Sequence, residues 1–286
     1  MRKTDITERS DTGIAAVIFD WAGTIVDFGC FAPTMSLVET FSQRGVSMTL
    51  AEARGPMGLE KRDHIRALLA DPNISSRWKD ATGADPAATD VDSLYEELEP
   101  RMADAVKLHA GLVPGVKELV DELRAWGVGI GTTTGYLRPL MDILTAEAER
   151  QGFHADAVIC PSDVPAGRPY PWMCFLNAIR LKAYPPRRVV KIGDTPADMR
   201  EGLNAGMWTV GVTLSGNEVG LSEADVDKLT PEERSSRVHA AERALRESGA
   251  HYVAETAGSC RTILARIEER IMRGDQPCRE TVHEPA

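Results

Sequence analysis

Asp20, Thr134, Arg168 and Asp194 stand at or just beyond places where short apolar runs stop, and their side chains form a set suited to moving a phosphoryl group. Asp20 follows Ala16-Val17-Ile18-Phe19, Thr134 and Gly135 follow residues 128–133, Arg168 sits in Gly167-Arg168-Pro169, and Asp194 follows Val189-Val190-Lys191-Ile192-Gly193. Attack by a carboxylate on a dianionic phosphoryl group brings like charges together, so Asp20 and Asp194 suit a hard, oxygen-seeking cation such as Mg²⁺. The Thr134 hydroxyl, neighbouring backbone N–H groups at Gly135 and the Arg168 guanidinium would take the remaining phosphoryl oxygens. Asp198 would then bond to these groups or to waters on the ion. A helix N-cap and a first-turn charge explain Asp194 and Asp198 as well.

These residues need a frame that brings strand ends together. Residues 15–19 have the length and β-branched content of a buried strand. From Gly111 onward, helices at 115–126, 137–150, 171–182 and 196–204 alternate with strands at 128–133, 157–160, 189–192 and 208–212. Such alternation predicts a parallel sheet with helices on both faces, which binds ligands beyond the carboxyl ends of its strands. Between the first strand and its partners lies a block that reads as helical: a face of Met35, Leu37, Val38 and Phe41, a second helix over 59–70, a loop with a short helix over 71–89, and a third helix over 91–108. The expected organisation is an arm at 1–13, an α/β core over 14–29 and 109–273, a helical insertion over 30–108 and a tail over 274–286. Residues 215–248 read as acidic, helical and peripheral, with Thr230-Pro231-Glu232-Glu233 as a helix start. Cys278 and His283 fall in the tail.

Composition narrows the partners. The 286 residues are 43% hydrophobic, enough for a sizeable core, and no apolar run approaches the ~20 residues of a membrane span. The N-terminal residues lack the apolar centre of a secretory signal, so cytoplasmic residence is the expectation. Five scattered cysteines without a C-x-x-C pair suggest reduced thiols. The net charge of −10 argues against nucleic acid or an anionic membrane as partner, but not against a small anion held at a local positive site.

The set VIFDWAGT, TTTG, PAGRPYP and GDTPAD resembles the haloacid dehalogenase superfamily of phosphotransferases. That resemblance implies a Rossmannoid core and a helical cap inserted after the first strand. Phosphatases of the superfamily usually carry an acid two residues after the nucleophile, where this chain has Ala22; without it an oxygen leaving group would depart as a poor alkoxide. In the helical block, ARGPMGLEKRDHIRALL puts Lys61 at a helix start with His64 one turn away on the same face. A lysine can condense with an aldehyde to an iminium, which accepts the electron pair of a breaking bond to carbon. An ordinary surface lysine fits the spacing too. Taken with SDVPAGRPYPWMC and KIGDTPADMREGLNAGMWTVGV, the chain is similar to the phosphonatases, which cleave the P–C bond of phosphonoacetaldehyde.

The similarity implies that Asp20 is nucleophile and metal ligand, that the Ala22 carbonyl and Asp194 complete the protein ligands of one Mg²⁺ per subunit, and that Lys61 forms the Schiff base. Its pKa would be lowered by desolvation and by positive neighbours such as Arg62 or the metal site. Cys30, Met57, His64 and Tyr136 would line the pocket or shuttle protons, although core packing accounts for each equally. The similarity further implies a role in 2-aminoethylphosphonate degradation and a homodimer paired through the caps. The face of Met35, Leu37, Val38 and Phe41 is a contact for that pairing, or else the cap's own core. The rival readings are a Mg²⁺-dependent phosphate monoester hydrolase, which would not need Lys61, and a catalytically silent phosphate-binding regulator. Retention of Asp20, Thr134, Arg168 and Asp194 together weighs against the second.

Overall fold

The computed structural model describes residues 13–277, so Cys278 and His283 lie outside the described residues. The first strand, β1 (Ala16–Phe19), leads into five helices: α1 (Phe31–Gln43), α2 (Leu50–Arg54), α3 (Lys61–Ala70), α4 (Pro72–Thr82) and α5 (Ala88–Leu108). Then α6 (Val116–Ala125), β2 (Gly129–Thr132), α7 (Arg138–Arg150), β3 (Ala157–Val158), α8 (Trp172–Arg180), β4 (Val189–Gly193), α9 (Pro196–Asn204) and β5 (Trp208–Val212) alternate. The chain closes with α10 (Glu223–Val226), α11 (Pro231–Glu247), β6 (Tyr252–Ala254) and α12 (Arg261–Met272). The six strands form one parallel sheet in the order β3-β2-β1-β4-β5-β6.

Sheet alternation sorts the first strand's side chains. Val17 and Phe19 enter the larger core on one face, while Ala16 and Ile18 enter a second core with Cys174, Leu181 and Met207 on the other. Register then sets the site. Phe19 lies level with Thr132 of β2 and Ile192 of β4, so Asp20, Thr133 and Gly193 sit side by side at the carboxyl end of the sheet. The Asp20 N–H donates to the Ile192 carbonyl at 2.8 Å and the Thr133 N–H to the Phe19 carbonyl at 2.9 Å, extending the ladder one residue past the strand. This edge, between β1 and β4, is the switch point of the strand order, where ligands bind in open α/β sheets.

The helical block differs from the sequence expectation in two of its helices. A short helix, α2, starts at a full capping box between Thr49 and Glu52. The short helix expected with a loop over 71–89 is the eleven-residue α4, which starts directly because Asp71 caps it and Pro72 takes its first position. Helix α1 begins at Phe31 and runs through Pro33, which its first turn tolerates. Asp27 serves as its remote cap, accepting from the Phe31 and Ala32 N–H groups at 2.9 Å each. Leu37 and Phe41 of α1 are fully buried and Val38 is partly buried, so of the two readings of this face, dimer contact or the cap's own core, the second fits its burial; Met35 alone of the four stays exposed. No helix among the described residues is long and apolar enough to cross a membrane.

Candidate active site

Ten of the sequence-predicted residues, Asp20, Ala22, Cys30, Met57, Lys61, Thr134, Gly135, Tyr136, Arg168 and Asp194, line one cavity between the strand ends and the helical block, together with Pro33, Gly58 and Thr195. Its volume is about 20 Å³, room for a water and not for a substrate of several heavy atoms. The backbone of the 55–60 loop closes it from above. A Cβ on Gly135 would lie 2.3 Å from the Leu59 carbonyl oxygen, so only glycine lets that loop come down onto the strand ends.

Four buried carboxylates, Asp20, Asp194, Asp198 and Glu201, meet two buried cations, Arg168 and Lys191. Arg168 is the hub. Its Nη2 donates to Asp20 Oδ1 at 2.7 Å and to Thr133 Oγ1 at 2.9 Å, and lies 3.0 Å from Asp198 Oδ1; its Nε donates to Glu201 Oε2 at 2.9 Å. Lys191 Nζ pairs with Asp198 Oδ1 at 2.8 Å. Counted formally, these six groups are short of two positive charges, which one divalent cation would supply while Lys61 is neutral.

Electrostatics locates that deficit on the two residues nearest the cavity. Burial, then repulsion from Asp20 and Asp198, pushes the Asp194 carboxyl well above the usual range, and its Oδ1 is buried without a partner. Burial and then Asp198 push Asp20 up to about 6 against the pull of Arg168 and Lys191. Asp198 behaves otherwise: burial opposes its ionisation, but Arg168 and Lys191 overcome this and hold its pKa below the ordinary value. Ligand oxygens of Asp20, Asp194 and Asp198 all lie within 4.8 Å of one another. Those of Asp198 are already engaged, Oδ1 by the two cations and Oδ2 by the Thr195 hydroxyl at 2.6 Å and N–H at 3.2 Å. Asp20 and Asp194 therefore fit a hard cation with Ala22 beside them, whereas Asp198 braces the cations and completes the capping box of α9. The N-cap is Thr195, not Asp194.

Lys61 is the first residue of α3 and is only 2% exposed. Its Nζ lies 5.4 Å from the Tyr136 ring centroid and 3.9 Å from Met57 Sδ. Burial lowers its pKa to about 8, with Arg168 acting in the same direction and Cys30, Glu60 and Asp20 against it. The expected cationic neighbour Arg62 is not involved: it points away, pairing with Asp92 at 3.1 Å and stacking on Tyr95. Burial likewise pushes the Cys30 thiol and the Tyr136 phenol well up, so both stay protonated. His64 is fully buried but does not line the cavity. Its Nε2 meets the Ala53 carbonyl at 2.9 Å, and burial followed by the Lys61 charge keeps the ring neutral.

Three participants escaped sequence reading. Lys191 reads as filler in a strand, yet β4 is buried along its whole length, and a lysine in such a strand requires a partner. Glu201 lies one turn beyond Asp198 on α9 and faces the same cations. The third is the start of the segment read as peripheral. Ser215 and Asn217 are buried, and the Asn217 N–H donates to Asp194 Oδ2 at 2.7 Å. That expectation holds only for the helices farther along, α10 and α11.

A family model described as haloacid dehalogenase-like hydrolase matches residues 14–206. The chain is 48% identical to a phosphonoacetaldehyde hydrolase of Nitratidesulfovibrio vulgaris, over 93% of this chain and 95% of that one. It is 49% identical to the phosphonoacetaldehyde hydrolase of Bacillus cereus, over 90% and 97%. Among solved structures, a phosphonoacetaldehyde hydrolase-like protein from Oleispira antarctica superposes with a TM-score of 0.91 at 38% identity, covering 97% of this chain and all of the other.

Proposed function

The chain belongs to the haloacid dehalogenase-like hydrolases and, within them, to the phosphonoacetaldehyde hydrolases, which hydrolyse a P–C bond, and from that premise we propose that Lys61 and Asp20 divide the chemistry. The observation that carries this reading is the burial of Lys61, with its pKa near 8, in the cavity that also holds Asp20. A phosphate monoester hydrolase would have no use for a desolvated amine there.

In this reading residues 30–108 are a cap that opens to admit phosphonoacetaldehyde, since the closed cavity is too small for it. The neutral Lys61 amine adds to the aldehyde and loses water, giving an iminium. Thr134, the Gly135 backbone and Arg168 hold the phosphonate oxygens, and Arg168 also aligns the Asp20 carboxylate. Asp20 attacks phosphorus. The P–C electron pair forms the C=C bond of an enamine as the C=N pair moves to nitrogen, which replaces the protonation that Ala22 cannot provide. Protonation at carbon and hydrolysis then release acetaldehyde and restore Lys61, while water cleaves the aspartyl phosphate to phosphate and restores Asp20. Asp20, the Ala22 carbonyl and Asp194 would hold one Mg²⁺, whose charge offsets the repulsion between carboxylate and phosphonate. Cys30, Met57 and Tyr136 shape the pocket around the imine, while His64, on α3 itself, ties that helix to α2 through the Ala53 carbonyl.

Phosphate release from phosphonoacetaldehyde should require Mg²⁺, fall at least ~100-fold in excess chelator and return on adding the ion back. Release unaffected by chelation would remove the metal from the proposal. We also place the protein in the cytoplasm, acting in 2-aminoethylphosphonate degradation as a homodimer paired through its caps. With Leu37 and Phe41 internal, the pairing must use other cap surface around Met35. Sedimentation at working concentration should give twice the chain mass, and a monomer would discard the dimer.

A further inference from the structure

If the cap opens, something must return Lys61 to the same place over Asp20. Most contacts across the closure are weakly directional: the 55–60 backbone packs on Gly135 and Thr195, and Arg168 Nη1 reaches the Gly58 carbonyl at a long 3.4 Å. Arg54, the last residue of α2, differs. Its Nη1 donates to the Gly29 carbonyl at 2.7 Å and approaches the Asn217 side-chain oxygen at 3.4 Å and carbonyl at 3.5 Å, while Nη2 donates to the Gly220 carbonyl at 3.2 Å. Asn217 Nδ2 returns a hydrogen bond to the Arg54 carbonyl at 3.2 Å. The guanidinium also stacks on Phe31, 5.4 Å from its ring centroid. Gly220 has φ +62°, and a Cβ there would come within 2.8 Å of the guanidinium carbon, so the loop is shaped to admit this side chain.

The loop that receives Arg54 also touches the reacting groups. The Asn217 N–H holds Asp194 Oδ2, the Ser215 hydroxyl donates to the Gly23 carbonyl at 2.7 Å, and the Gly29 N–H donates to the Ser215 carbonyl at 2.8 Å. One loop thus links the Asp194 carboxylate, the turn after the nucleophile, the start of the insertion and the cap.

We propose that Arg54 and Asn217 form a latch that sets the closed cap in register, which makes Arg54 a positioning residue for Lys61 and ties its socket to Asp194. The inference rests on Lys61 being the reacting amine. Charge-assisted hydrogen bonds fix direction, which general packing does not. The hydrogen-bond acceptors are neutral oxygens, so the guanidinium can leave for water without breaking a direct ion pair, while Asp27, Asp194 and Glu218 feel its charge from farther off, and the latch is reversible.

The test compares Arg54→Ala, Asn217→Ala and the double variant by steady-state kinetics and amide hydrogen exchange. Each single change should lower kcat about 10- to 100-fold, and the double should be no worse than the poorer single, because both remove one interaction. Exchange over 55–61 should rise in all three while the β1 and β4 amides stay protected. Guanidinium salts at millimolar concentration should partly rescue Arg54→Ala and leave Asn217→Ala unaffected. Multiplying losses, or unchanged exchange over 55–61, overturns the latch. Should Arg54→Ala fail to fold, Gly220→Ala carries the same expectation in exchange. Borohydride trapping on the unsubstituted enzyme separates the two failures: no Lys61 adduct there sinks the Schiff-base reading, whereas the exchange results judge the latch alone.

Discussion

Replacing Lys61 by Arg should abolish phosphate release from phosphonoacetaldehyde, a loss of roughly 10⁴-fold or more, as expected when a covalent nucleophile is removed. Arginine keeps the positive charge and much of the length, so a purely electrostatic role would survive the change; it stays protonated and cannot form the imine. Borohydride added with substrate should label Lys61 in the unsubstituted enzyme and nothing in the variant. The same residue sets a pH dependence. Burial has lowered its pKa from 10.5 to about 8, so its neutral fraction grows about tenfold per pH unit below 8 and levels off above. The rate of imine formation should therefore climb from pH 6 to about 8 and then flatten, whereas an unperturbed lysine would keep climbing to about 10.5. Turnover by Lys61→Arg within tenfold of normal would sink the Schiff-base step.

What could be read from the sequence divides along physical lines. Strand ends were legible because β1, β4 and β5 are buried on both faces and so appear as apolar runs that stop abruptly at polar residues. Asp20 and Asp194 are conspicuous for that reason, whereas Thr134 follows the glycine-interrupted β2. Ala22 was legible only against the superfamily pattern, as a missing acid. The cavity gives that absence a setting: Ala22 lines the space shared by Asp20 and Lys61, where a carboxylate would raise the amine's pKa and favour the unreactive ammonium. The length of α4 within the expected loop and short helix was not legible, because polar Asn73, Ser75 and Ser76 hide the spacing of its two buried residues, Ile74 and Trp78.

The pairing of charges was not legible. Periodicity tells which face a residue takes, not which partner it meets across the fold. Lys191 and Glu201 come to Arg168 from a strand and a helix, and Arg168 arrives on a loop. Arg62 was credited with tuning Lys61 through sequence adjacency, yet on α3 adjacent residues point apart, and burial does the tuning instead. Asn217 was hidden in a segment whose later helices are exposed and charged.

Changing Asp20 to Asn should divide the reaction in two. The amide has nearly the carboxylate's shape but cannot attack phosphorus, and phosphate release should drop roughly 10⁴-fold or more. Asparagine also takes a negative charge from a cluster in which four carboxylates face two cations, relieving the repulsion that Asp20 exerts on Asp194. The fold should therefore persist, and Mg²⁺ should bind more weakly with one anionic ligand fewer. Imine formation needs only Lys61 and the aldehyde. In Asp20→Asn, borohydride should still trap the Lys61 adduct from phosphonoacetaldehyde, now with the phosphonate attached, because the P–C bond is intact. Mass analysis of the trapped chain reads this directly. An adduct lacking phosphorus would mean that the P–C bond breaks without Asp20, and loss of the adduct would mean that Asp20 is needed earlier, to form the imine. Only retention of the phosphonate on Lys61, with phosphate release abolished, fits an order in which the lysine prepares the leaving group and the aspartate then takes the phosphoryl group.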